Sequence, residues 1–188
     1  MLRSGVVGNG VRAVDGRVVR VWLAAVLAVS VLSGREAAAV ERRGFTAGVS
    51  AGAGHMGCDG CEPGSMAMAF HAGWTPRRRV ALLLDFTSLS HYVGEDSSFS
   101  TTYGLVGARA FVGRRAWVEA GIGGGSYEVE SGRVRVASEG GFAYGAAAGF
   151  ELVQKKKSAL DLSTRVGSFV DEGSRVTNVS VHIGWSWY

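Results

Sequence analysis

The segment that decides the fold is residues 179–188, VSVHIGWSWY, in which a large apolar residue occupies every second position. A repeat of two places alternate side chains on opposite faces of a β-strand. The apolar face would carry Val179, Val181, Ile183, Trp185 and Trp187. The other face would carry small and polar residues, so the segment is predicted to be a strand with two chemically different faces.

The same alternation recurs upstream of this segment. It is clear in residues 44–54, 65–74 and 142–152 and weaker in residues 80–91, 99–112, 116–127 and 159–169. The chain is therefore predicted to form eight strands of about 10 to 14 residues each. A tilted strand needs roughly 9–11 residues to cross a bilayer, whereas strands of soluble proteins average about 5–6. The lengths favour strands that span a membrane.

The connections between the predicted strands alternate in length and in charge. Three are short and hold eight basic residues and no acidic residue: 75–79, 113–115 and 154–158. The others are longer and mainly acidic: 54–64, 93–98, 128–140 and 170–175. Short turns at one end and longer loops at the other are typical of an up-and-down barrel whose termini lie with the short turns, in the periplasm.

The glycine content argues against a helical protein, and backbone hydrogen bonding in hydrocarbon favours a closed sheet. The chain has 29 glycines and only two prolines, and each glycine inside a helix costs about 1 kcal/mol relative to alanine, which argues against a helix bundle. In hydrocarbon every backbone N–H and C=O needs an internal partner, and antiparallel strands provide this only when the sheet meets itself. Eight strands enclose an interior that side chains fill, so an open pore is not expected.

The first 39 residues have the features of an export signal. A basic stretch precedes the apolar run 21–33, and three alanines at 37–39 supply an A-x-A cleavage site. Cleavage after Ala39 would leave a mature domain of residues 40–188. The leader holds five of the 20 basic and two of the 16 acidic residues, which leaves 15 against 14. The high isoelectric point is thus mainly a property of the leader, and no nucleic-acid partner is predicted.

Residues 40–188 resemble the small outer-membrane barrels of Gram-negative bacteria, the OmpA- and OmpX-like barrels. The run 182–187, HIGWSW, is similar to the aromatic-ended final strand that such proteins present to the barrel assembly machinery. The resemblance implies an all-β, eight-stranded antiparallel transmembrane barrel in the outer membrane, in contact with lipid and lipopolysaccharide. It assigns an assembly signal to Gly184, Trp185, Trp187 and Tyr188. The resemblance is informative about architecture and says little about function, so the ligand of the loops stays unknown.

The faces opposite the apolar sets contain ionisable residues of both signs. They are His71, Asp85, Arg109, Glu119, Glu151, Asp161, Arg165 and His182. Opposite charges inside a narrow barrel can pair, which avoids isolated ions and fills the lumen. A structural ion network is the first interpretation, and a path for protons or ions is the alternative. No cofactor is predicted.

Aromatic residues on the outward faces predict two girdles at the membrane surfaces, because amphipathic rings favour the headgroup zone. The girdle near the basic turns would consist of Phe45, Trp74, Phe150, Trp185 and Trp187. The girdle near the long loops would consist of Tyr92, Phe99, Tyr103, Phe142 and Tyr144.

Cys58 and Cys61 lie three positions apart in the first long loop. Exported proteins meet an oxidising compartment, so a disulfide between them is predicted. A metal site that uses both thiols and His55 is the alternative, although it lacks one ligand of a closed tetrahedral shell.

Two other functions remain open at this stage. Ser90 and His91 approach the long-loop rim beside Glu95 and Asp96, and these are the residue types that a lipid A-modifying enzyme would need. Neighbouring residues of one strand point to opposite faces, which argues against a nucleophile and base pair. The third class is a soluble periplasmic barrel that binds a ligand. The first interpretation is a non-enzymatic outer-membrane barrel that acts through its extracellular loops.

Overall fold

The computed structural model describes residues 40–57, 64–92, 97–131, 134–137, 140–171 and 174–188. These residues form eight long strands and one short strand. The strands are β1 (Gly44–Gly57), β2 (Ser65–Arg77), β3 (Val80–Tyr92), β4 (Ser97–Val112), β5 (Ala116–Ser131), β6 (Val134–Ala137), β7 (Gly141–Lys155), β8 (Ser158–Asp171) and β9 (Ser174–Trp187). Within the described ranges, no helix has the length and hydrophobicity to cross a membrane.

The long strands close into a barrel. Each long strand pairs antiparallel with the next one along the chain, β7 follows β5 in the wall, and β1 pairs with β9. The short β6 pairs only with β5, beyond the point where β7 takes over the ladder. The predicted eight-stranded, antiparallel, up-and-down barrel is confirmed.

The loop predicted over residues 128–140 is the clearest difference from the sequence-based boundaries. β5 continues to Ser131, and β6 returns beside it with Val129 opposite Val136 and Ser131 opposite Val134. β-branched residues favour a pleated ladder, so the alternating valines extend the hairpin where the charge pattern alone suggested a loop. Each of the other long strands also extends one to five residues beyond at least one predicted boundary, although β9 ends at Trp187, one residue before its predicted end.

The short turns and the first described residues lie at one end of the barrel. The Glu41 amide donates to the Lys156 carbonyl at 3.0 Å, and the Tyr188 amide donates to the Lys157 carbonyl at 2.9 Å. Gly113 adopts a φ of 77° in its turn, a conformation that costs glycine little. We call this end, with the turns 77–79, 113–115 and 155–157, the basic end, and the opposite one the loop end.

Some predictions fall outside the described residues. They concern the leader 1–39 with its cleavage site, the disulfide between Cys58 and Cys61, and the carboxylates of Glu95 and Asp96. His55 is described and is exposed near the end of β1.

Candidate functional site

The interior of the barrel holds all eight of the ionisable residues that the sequence placed there. They come from seven different long strands, and each occupies a position whose side chain turns away from the exterior. Seven of the residues are buried, and the side chain of Glu119 is only 8% exposed. Strand parity was sufficient to place them, because the period of two assigns every second residue to the same face.

Two ion pairs meet in the middle of the lumen. Arg165 Nη1 donates to Asp85 Oδ1 at 2.8 Å and to Oδ2 at 2.7 Å. Arg109 donates through Nε to Glu119 Oε2 at 2.8 Å, and its guanidinium lies 3.9 Å from the ring centroid of Trp117. Arg165 Nη1 also lies 4.0 Å from Glu119 Oε1, which joins the two pairs. The four charges therefore form one network across the lumen.

Hydroxyl groups supply further partners for the buried carboxylates. Thr87 Oγ1 donates to Asp85 Oδ1 at 3.0 Å, and Ser186 Oγ donates to Asp161 Oδ2 at 3.0 Å. Buried carboxylates are costly unless hydrogen bonds satisfy their lone pairs, so these neutral donors offset part of that cost.

Two of the interior histidines, His182 and His71, have different surroundings. His182 contacts Ser50 Oγ through Nδ1 at 3.2 Å and Ser180 Oγ through Nε2 at 2.8 Å. Nε2 of His71 has no hydrogen-bond partner among the described residues. Gly48 makes room for the His71 ring, because a Cβ atom at position 48 would overlap the imidazole.

A separate cluster closes the basic end. Arg42 Nη2 contacts Glu151 Oε2 at 2.5 Å, while Tyr188 donates its hydroxyl proton to Glu151 Oε1 at 2.7 Å. Gln154 Nε2 also donates to Glu151 Oε2. The Arg42 guanidinium lies 4.2 Å from the ring centroid of Phe111, which packs edge-on against Tyr188. Sequence reasoning missed Arg42, although it has the same parity as the inward positions of β1.

Aromatic side chains fill the lumen towards the loop end. Tyr103 donates to Asn178 Oδ1 at 3.0 Å, and Asn178 Nδ2 donates to Thr101 Oγ1 at 3.1 Å. Phe169 packs with Tyr103, and Tyr127 lies against this cluster with its ring centroid 6.2 Å from that of Phe169. This part of the barrel is therefore occupied by rings and a short hydrogen-bonded chain.

The predicted girdles need three corrections. Tyr103 is only 4% exposed and Phe99 packs against the buried Leu89, so both belong to the interior. Both are in phase with the inward Arg109 on β4, and this parity excludes them from the lipid side. Phe150 is 8% exposed and adjoins the irregular register between Glu151 and Val153. The remaining outward positions include exposed Phe45, Trp74, Trp187, Tyr92 and Phe142.

A cavity of about 10 Å³ lies in the lumen beside the central ion network, next to Asp85, Thr87, Glu119 and Arg165. A volume of this size holds about one water molecule. Asp85, Glu119 and Arg165 are the charged groups that such a water would bridge, while side chains such as Leu105 and Val166 line the rest of the cavity. The volume is too small for a substrate.

The Ser90 and His91 pair does not form a catalytic arrangement. His91 is 3% exposed and turns into the lumen, whereas Ser90 is half-buried on the other face of β3. A nucleophile and its base must come within hydrogen-bond reach, and opposite faces of one strand prevent this.

Solved structures share this architecture. Neisserial surface protein A aligns over 76% of this chain and 96% of its own, with a TM-score of 0.65 and 14% identity. Ail, the attachment invasion locus protein of Yersinia pestis, aligns over 77% of this chain and 99% of its own. Its crystal structure has a TM-score of 0.57 and 13% identity, and its structure in a phospholipid bilayer nanodisc has a TM-score of 0.50 and 14% identity.

No protein-family model and no curated protein sequence matches the chain. At this level of identity a structural match speaks to the fold. The matched structures are small eight-stranded barrels, and the eight long strands described here, closed by the pairing of β1 with β9, agree with that architecture. The chain therefore has the fold of the small eight-stranded outer-membrane barrels.

Proposed function

We propose that residues 40–188 form an integral barrel of the bacterial outer membrane, with a lumen closed by side chains and no chemical reaction of its own. The barrel acts as a rigid support for the extracellular loops, which contact a partner at the cell surface. Outer-membrane lipid and lipopolysaccharide surround it, and the barrel assembly machinery inserts it through the final strand, where Trp187 is exposed.

The observation that carries this proposal is the apolar exterior. Among the described residues, 23 large hydrophobic side chains are at least 37% exposed, and every one of the eight long strands contributes to them. The largest apolar patch on a typical soluble monomer is about 300–600 Å² and lies on one side. An apolar exterior on every side of the barrel would be unfavourable in water. Contact with the hydrocarbon core of a membrane requires such a surface.

The interior supports the same conclusion and disfavours a soluble ligand-binding barrel. Such a barrel presents polar side chains to water and keeps an apolar cavity for its ligand. Here the interior combines buried arginine, aspartate, glutamate and histidine side chains with aromatic and aliphatic ones, while many leucine, isoleucine and phenylalanine side chains are exposed on the outside. An apolar exterior round a filled lumen that holds paired charges matches a membrane barrel better than a soluble one.

The proposed location is tested by fractionation of cells that express the full chain. We expect the mature protein in the carbonate-washed membrane pellet, with a soluble periplasmic protein released in the same wash as the control. The folded barrel should also migrate differently from the heated protein on a gel. Mature protein that is monodisperse without detergent would overturn the proposal.

The absence of catalysis is tested separately, on lipid A from cells with and without the protein. We expect identical mass spectra, because Ser90 and His91 lie on opposite faces of β3. A mass change that disappears in His91→Ala, with the barrel still heat-modifiable, would show that the protein is a lipid-modifying enzyme.

A further inference from the structure

The basic end carries a dense positive charge. Its three turns contribute eight basic residues and no acidic residue. Seven of these side chains are exposed, and the eighth, Arg115, is half-buried. The interior Arg42 at the same end is neutralised by Glu151, and the exposed Glu41 and Arg43 on either side of it have opposite charges. The net outward charge of this end therefore comes from the turns.

Exposed tryptophan side chains indicate the depth of these turns relative to the lipid headgroups. Trp74 is 57% exposed and lies three positions before Arg77, where the first basic turn begins. Trp187 is 49% exposed and pairs with Ser158, which directly follows the third turn. Lys155 Nζ lies 5.3 Å from the ring centroid of Trp185. Tryptophan favours the boundary between hydrocarbon and headgroups. The ammonium and guanidinium groups therefore lie at headgroup depth.

We propose that the basic end binds the anionic headgroups of phospholipids in the periplasmic leaflet of the outer membrane. This inference rests on the proposed function, because it requires the barrel to lie in a bilayer. Basic side chains near a membrane surface attract anionic lipids, and long lysine and arginine stems can lie along hydrocarbon while the charges reach the phosphates. The connections between the strand ends opposite this one are mainly acidic in sequence, so the charge asymmetry also favours one orientation.

Tryptophan fluorescence provides a direct probe. Of the four tryptophans in residues 40–188, three lie on the exterior at the basic end, whereas Trp117 is 1% exposed inside the lumen. The protein is reconstituted into vesicles that contain brominated phosphatidylglycerol or brominated phosphatidylcholine, and the quenching gives the relative association constant of the two lipids. At low salt we expect phosphatidylglycerol to bind about 3-fold more strongly or better. The preference should fall towards unity in about 1 M salt, where the Debye length is about 3 Å.

Two matched triple variants assign the preference to the basic end. The first carries Lys155→Gln, Lys156→Gln and Lys157→Gln. The second removes the same number of charges from sequence positions outside these turns and carries Arg133→Gln, Arg135→Gln and Arg175→Gln. We expect the first variant to lose most of the preference and the second to keep it. A binding ratio near one for the unsubstituted protein, or an equal loss in both variants, would overturn the inference.

The same measurement separates this inference from the proposed function. Quenching by brominated phosphatidylcholine shows that the tryptophans face lipid, whatever the preference between headgroups. A ratio near one with strong quenching by both lipids overturns only the binding of anionic headgroups. If neither lipid quenches the fluorescence, the barrel is not in the bilayer and both proposals fail.

Discussion

Arg165 shows how one interior residue stabilises the barrel. Its guanidinium contacts both carboxylate oxygens of Asp85 from the far side of the lumen, within 2.8 Å. Both side chains are almost completely buried. A buried pair contributes little net free energy when compared with well-packed apolar residues, but a buried charge without its partner is costly. Loss of one member of the pair is therefore expected to lower the stability of the barrel more than replacement of both members by apolar residues.

A double-mutant cycle tests this asymmetry. We expect Arg165→Leu to lower the free energy of unfolding in lipid vesicles by about 3–5 kcal/mol, because Asp85 is left charged and buried. The double variant Asp85→Leu with Arg165→Leu should recover much of this loss. Urea unfolding followed by tryptophan fluorescence measures each variant. Strict additivity of the two single changes would contradict a direct interaction.

Glycine has a steric role on the interior face of β7. A Cβ atom at position 149 would overlap the indole of Trp117, which is buried and lies under the Arg109 guanidinium. We expect Gly149→Ala to lower the free energy of unfolding by about 1–3 kcal/mol, since the ring has little space to move. The matched control is Gly124→Ala, whose new methyl would lie 3.6 Å from the nearest atom. In urea unfolding, equal effects of the two substitutions would remove the steric explanation.

At the scale of the strand, side-chain parity determines what lipid and lumen each contact. Ala148 lies at the centre of β7 and alternates with the inward Ala147 and Gly149. We expect Ala148→Arg to cost roughly 2–4 kcal/mol, the range measured for arginine facing lipid at the midplane. Leu152→Arg, on the same strand beside the basic turn, should cost about 0–1 kcal/mol because the new charge reaches the headgroups. Equal costs in vesicle unfolding would place position 148 away from the midplane.

Parity also explains how well individual strands could be predicted from sequence. β9 alternates without a break, and its interior and exterior residues were assigned correctly. β4 mixes glycine, serine and threonine with its aromatic residues and alternates less clearly, and the prediction that Tyr103 faces lipid was wrong. The phase of Arg109 on the same strand would have placed Tyr103 inside. The register irregularity of β7 near Glu151 has no sequence signal of this kind.

At the scale of the whole molecule, closure brings distant residues together. Arg42 and Glu151 are 109 positions apart, and Arg165 and Asp85 are 80 apart. A period of two identifies which side chains point inward but contains no information on which of them meet across the lumen. Eight of the interior ionisable residues could therefore be predicted from the sequence, whereas their pairing, and the contribution of Arg42, depends on strand order and register.

The contents of the lumen predict that the barrel does not conduct ions. The Arg42 and Glu151 cluster closes the basic end, the network around Arg165 crosses the middle, and rings including Tyr103 occupy the loop end. An ion would have to displace charged groups that already satisfy one another, in a space where the cavity beside Asp85 holds about one water. We expect no stepwise conductance in planar bilayers at about 1 M salt, where surface charge is largely screened. A water-filled porin in the same chamber serves as the positive control, and reproducible steps with each inserted barrel would show that the lumen is open.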